Sequence, residues 1–135
     1  MAIAHQMSVE GNVLYVKASG RDESEEEVKQ YGMAVLEMAL ARGVERVLCE
    51  ETELEYALGT FSIYEAAKFI AEVVPKVCRV AIVCSPRDLQ SGAFWETVAV
   101  NRGLNVRVTT DLDLARVWIA EGADHPDLPM DGSTE

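Results

Sequence analysis

The stretch VERVLCEETELEYALGTFSIYEAAKFIAEVV, residues 44–74, decides the fold. Its first part, Val44 to Glu50, reads as a β-strand: Val47 and Cys49 fall on one face and Leu48 on the other, so both faces are apolar, as expected of a central strand in a covered sheet. The acids Glu50, Glu51, Glu53 and Glu55 then read as a loop over 51–61. A helix follows from about Ile63 to Val74. Ser62 and Glu65 have the Ser-x-x-Glu spacing of a capping box, and Pro75 stops the helix. Ile63, Ala66, Ala67, Ile70 and Val74 share its apolar face.

Working outward, residues 3–9 and 12–19 form a hairpin about Glu10-Gly11-Asn12. Ser24 and Glu27 make another Ser-x-x-Glu start. The helix behind it carries Val28, Tyr31, Gly32, Val35, Leu36 and Ala39 on one stripe and closes at Gly43. Beyond the central stretch, Val77 to Cys84 reads as a strand. Ser85-Pro86 opens a third helix that runs to about Arg102, Leu104 to Thr109 make the last strand, and Asp111 starts a fourth helix that Gly122 ends. Gly122 onward is acidic and broken by proline, a composition expected of a loose tail.

The order β-β-α-β-α-β-α-β-α predicts one α/β (α+β) domain over residues 1–121 and a flexible acidic tail over 122–135. Right-handed crossovers make the sheet parallel apart from its hairpin edge, with four helices. The loops 51–61, 85–87 and 109–111 then gather at the carboxyl ends of the strands, where such sheets bind ligands and partners.

Composition narrows the function. Among 135 residues there are 23 acids and 12 bases, a formal charge of −11. That field repels phosphate backbones and anionic membrane surfaces, and the bases are scattered singly, so neither nucleic-acid binding nor membrane insertion is expected. The apolar runs are far shorter than the ~18 residues of a membrane span, and the start lacks a secretory pattern. Three cysteines, an odd number without CxxC spacing, point to a reducing cytoplasm.

Together, Val47-Leu-Cys-Glu50 before a capped helix, Arg79-Val-Ala-Ile-Val-Cys84 before another, and Asn105-Val-Arg-Val before Asp111-x-Asp-x-Ala-x-x-Trp-Ile119 resemble the SpoIIAA-like or STAS-like family (sulfate transporter and anti-sigma factor antagonist) over residues 5–121. The resemblance implies a small bacterial non-enzymatic regulatory module that binds a protein partner of anti-sigma type. In such modules phosphorylation at the start of the second helix breaks the contact. Ser62 holds that place and Thr60 is a second candidate, although Leu58-Gly-Thr-Phe-Ser62 stands where the family motif reads Asp-Ser-Ser/Thr-Gly. Glu51, Glu53 and Glu55 complete the expected partner surface.

The alternative is an apolar small molecule or lipid held between the second and third helices, since Phe69, Phe94, Trp95 and Val98 give more apolar surface than one docking face needs. A homodimer through the same residues is the competing use of that surface. Nothing in the sequence requires a cofactor or metal. The acid run lacks the spacing of a calcium loop. Cys49, Cys78 and Cys84 lack a nearby histidine base, and Cys84, just before a helix N-terminus, is the best placed of the three for a lowered pKa.

Overall fold

The computed structural model describes residues 3–76 and 78–121. Strands β1 (Ile3–Glu10) and β2 (Val13–Asp22) form the hairpin; α1 (Glu25–Arg42), β3 (Arg46–Tyr56), α2 (Thr60–Val73) and β4 (Arg79–Cys84) follow. A short 3-10 turn, Pro86–Asp88, leads into α3 (Leu89–Asn101), then β5 (Asn105–Thr109) and α4 (Leu112–Ala120). The sheet order is β1-β2-β3-β4-β5, antiparallel at the hairpin and parallel elsewhere. The mixed, mostly parallel sheet with four helices is therefore as expected from the alternation. Val77, Gly122 and the expected tail lie outside the described residues.

Two apolar layers flank the sheet. On one face Leu14, Val16, Val47, Cys49, Ile82 and Val106 pack against Val35 and Ala39 of α1, Ile70 and Ala71 of α2, and Ala99 of α3. On the other, Val13, Leu48, Ala81 and Val83 meet Ala115 and Ile119 of α4. Strand alternation sends successive side chains to opposite layers, which is why both faces of β3 and β4 are apolar.

Local chemistry fixes the helix ends. Ser24 Oγ accepts from Glu27 N–H at 3.2 Å, and Glu27 Oε1 reaches back to Glu23 N–H at 3.1 Å, one residue earlier than a standard capping box. Gly43 ends α1 with φ 67°, its N–H donating to Ala39 and Leu40 carbonyls. Asp111 caps α4 by accepting from Asp113 and Leu114 N–H groups. At the far end of α4, Arg46 Nη1 donates to the Ile119 carbonyl at 2.6 Å and to that of Glu121 at 3.0 Å, while the Arg79 guanidinium stacks 4.3 Å from the Trp118 ring. Arg79 Nη1 also donates to the Glu121 carbonyl at 3.1 Å, so two arginines from the starts of β3 and β4 satisfy carbonyls at a helix C-terminus, where positive charge is favoured.

Candidate functional site

The segment expected to be an acidic loop is mostly strand. β3 continues to Tyr56, and it does so through a β-bulge: Lys17 pairs with Glu50 and Ser19 with Glu53, so Glu51 and Thr52 together oppose Ala18. Before the bulge Val47, Cys49 and Glu51 face the helices; after it Leu54 and Tyr56 do. Alternating acids disguised a strand whose apolar phase shifts by one residue.

The bulge turns Glu51 inward. Its carboxylate is buried and accepts two tyrosine hydroxyls, Tyr31 of α1 on Oε2 at 2.8 Å and Tyr56 on Oε1. Burial pushes the Glu51 carboxyl above its ordinary range, the two hydroxyl donors pull it back, and the Asp22 charge pushes it up again. Both tyrosine hydroxyls are held well above the usual phenol value, chiefly by burial.

Two more carboxylates hold the end of β3. Asp22, the last residue of β2, accepts the Ala57 N–H on Oδ1; Asp88, after β4, accepts the Tyr56 N–H on Oδ2 at 3.1 Å. These bonds satisfy backbone amides where β3 has left its β4 neighbour, whose pairing ends at Glu51–Cys84. Burial raises Asp22 to about 6 despite amide donation from Ala57 and Leu58. Asp88 is lowered instead, first by its bonds from Arg87, Nε to Oδ1 at 3.2 Å and Nη2 to Oδ2 at 2.8 Å.

Between the sheet and the helices α1, α2 and α3 lies a cavity of about 130 Å³. Val35, Val47, Ile63, Ile70, Ile82 and Trp95 make most of its character, and Glu51, Tyr31 and Tyr56 line it too. Among the described residues its charged lining consists of Asp22 and Glu51, with no basic side chain. Gly32 lets α1 approach α2 here: a Cβ at that position would stand 2.2 Å from Ile70 Cδ1.

The expected site residues separate into three groups. Glu51 is internal. Glu53 and Glu55 are exposed on the other side of β3 and meet Lys17 at 3.8 Å and Arg21 at 3.6 Å, so their charge is partly balanced. Thr60 and Ser62 sit in the first turn of α2, whose N-cap is Gly59 without a side-chain bond. Ser62 is therefore not the cap, and no capping box with Glu65 forms: the helix starts three residues earlier than the Ser-x-x-Glu spacing indicated, because Gly59 supplies the extended backbone that precedes it. Beside them Phe61 is 72% exposed.

Of the aromatic set, Trp95 reaches the cavity; Phe69 packs on the core edge with Lys29 Nζ 5.3 Å from its ring centroid, and Val98 is buried. Phe69, Phe94 and Val98 are not among the cavity's lining residues. The cavity thus lies between the sheet and three helices rather than between α2 and α3 alone. Cys84 departs from expectation as well: burial and the charges of Glu51 and Asp88 raise its thiol to about 11, overriding the nearby helix start. Cys49 and Cys78 are raised too, first by burial. All three are free. Among the described residues no cluster of His, Cys, Asp and Glu is disposed to hold a metal ion, and no helix is long and apolar enough to cross a membrane.

No protein-family model matches the chain, and no curated protein matches it in sequence. Solved structures do. An anti-sigma factor antagonist from Mycobacterium paratuberculosis superposes with a TM-score of 0.63 at 15% identity, covering 89% of this chain and 96% of its own. An uncharacterised protein with a SpoIIAA-like fold from Shewanella loihica gives 0.56 at 24% identity, covering 87% and 94%.

Proposed function

We propose, from a fold that is SpoIIAA-like as the sequence resemblance implied, that the chain is a non-enzymatic regulatory module of the cytoplasm that binds a protein partner of anti-sigma type through the start of α2. The observation that carries this is Phe61, a large aromatic left 72% exposed in the first turn of that helix and flanked by Thr60 and Ser62. Exposed aromatics of this kind anchor interfaces. Glu53 and Glu55 extend the rim of the contact, and Ser62 is the residue whose phosphorylation regulates it. A phosphate there faces the unbonded first-turn amides of α2, so it alters the surface without opposing the helix.

The test is calorimetric titration with the anti-sigma-type proteins of the same genome, using wild type, Phe61→Ser and Ser62→Asp. Binding that falls at least about tenfold in Phe61→Ser supports the proposal, a loss typical of an anchor residue. No binding to any of them, or equal binding by Phe61→Ser, overturns it.

A second reading is favoured by one observation, the apolar cavity under α1, α2 and α3. On this reading the module carries or senses an apolar small molecule in its core. Native mass spectrometry of freshly purified protein checks it: a bound organic species supports it, and a bare mass that stays bare after exposure to small hydrocarbons counts against it.

A further inference from the structure

The cavity has a polar end, and its sign is uniform. Among the described residues its charged lining is Asp22 and Glu51, both acids. Glu51 makes no ion pair among the described residues; its bonding partners are the neutral hydroxyls of Tyr31 and Tyr56. A carboxylate has about four acceptor sites, so two hydroxyls leave capacity for another donor. Buried charge is ordinarily paired, since desolvation costs several kcal/mol per ion. The rest of the lining is overwhelmingly apolar, Val35, Val47, Ile70 and Ile82 among it.

Resting on the second reading above, we propose that the cavity binds a small apolar primary amine in its ammonium form, with the ammonium on Glu51 and the hydrocarbon body among Val35, Ile70 and Ile82. Tyr31 and Tyr56 hold the carboxylate in place, leaving its remaining lone pairs for the ligand. Size bounds the class: a cavity of about 150 Å³ takes a benzene ring, and this one, at about 130 Å³ and partly open to solvent, limits the ligand to a single small ring or a short alkyl chain. The charge sets the polarity. A carboxylic acid of the same shape meets two buried acids and no base, and is rejected.

The experiment titrates the intact chain with benzylammonium, benzyl alcohol and toluene, three probes of nearly one shape, and follows amide chemical shifts by NMR. The expected result is benzylammonium binding about tenfold or more tighter than benzyl alcohol, as a charge-assisted bond gives over a neutral one. Its largest shifts fall at Glu51, Tyr31 and Tyr56. Glu51→Gln, which keeps the shape and can still bond both tyrosines, is expected to erase the preference while retaining toluene. Equal binding of the three probes, or toluene alone, overturns the amine assignment and leaves the cavity reading standing. Preference that persists in Glu51→Gln also overturns it. Binding of none of the three overturns both. Should Glu51→Gln not fold, the wild-type preference and the location of the shifts decide: shifts away from Glu51 overturn the proposal.

Discussion

Glu51 and Tyr56 lie five residues apart on one strand and nevertheless share a face, with the Tyr56 hydroxyl donating to Glu51 Oε1. An unbroken strand would send residues of odd separation to opposite sides. The bulge opposite Ala18 restores the phase, and the same irregularity brings Glu51 to the floor of the cavity. Bulges commonly re-aim a side chain beside a functional site.

That bond gives the first prediction. Tyr56→Phe removes a donor from a buried carboxylate, which costs roughly 1.5–3 kcal/mol where the acceptor is charged. The loss also raises Glu51 further. A carboxyl whose folded pKa is raised weakens the native state as pH climbs, so the variant should be hurt more at pH 8 than at pH 5. Urea denaturation at both values measures this; an equal penalty at the two would show that Glu51 does not change its protonation between them.

Asp22 gives the second. Its folded pKa is about 6 against 3.8 in a free chain, so the native state holds the proton longer and stability falls as pH rises from about 4 to about 6. Asp22→Asn keeps an acceptor for the Ala57 amide and removes the charge. The variant should gain on wild type across that window, on the order of 1 kcal/mol once partial access to water is allowed for. A residual slope of the same sign should remain from Glu51. A stability difference that is flat between pH 4 and 6 would refute the assignment.

Legibility in the sequence depends on the kind of signal. Helix α1 was legible because Ser24, Glu27, the apolar stripe and Gly43 all agreed; likewise Asp111 marked α4. The stretch 51–56 reads as a loop because Glu51, Thr52, Glu53 and Glu55 look solvated, and its strand cue, Leu54 and Tyr56 two apart, sits out of phase with Val47 and Cys49. A phase shift becomes visible only with the partner strand, where Ala18 meets two residues. Tyr31 falls on the apolar stripe of α1, but its hydroxyl partner lies twenty residues away, and no periodicity encodes that pairing. Asp22 and Asp88 were equally hidden, since their amide partners Ala57 and Tyr56 adjoin them only in the fold. Ser62 misled in the opposite direction: a sound capping pattern lost to Gly59, three residues upstream.

Gly32 supplies a third prediction. Alanine there gains up to about 1 kcal/mol of helix propensity, while its Cβ displaces the flexible Ile70 Cδ1 into the adjoining cavity. Gly32→Ala should therefore stay within about 1 kcal/mol of wild type yet bind toluene more weakly, because the cavity is smaller. Thermal unfolding and the NMR titration read the two effects. A severe loss of stability would mean that Ile70 has no room to move, and unchanged toluene binding would place the ligand elsewhere.

The position of Ser62 separates its structural role from the proposed regulatory one. As the third residue of α2, in its first turn, rather than its cap, it makes no capping bond, so Ser62→Ala should change stability by less than about 0.5 kcal/mol, short of the ~1 kcal/mol that loss of a true serine cap costs. Ser62→Asp should go the other way. The first turn of α2 contains no acid, and a carboxylate placed there meets the positive end of the helix, adding about 0.3–1 kcal/mol at low salt. If partner binding nevertheless falls in Ser62→Asp, the cause is the contact surface and not a loosened helix, because the variant is at least as stable as wild type. Guanidinium denaturation of the three proteins, set beside their affinities, makes the distinction: a destabilised Ser62→Asp would contradict the helix geometry, and a stable one with unchanged affinity would remove Ser62 from the switch.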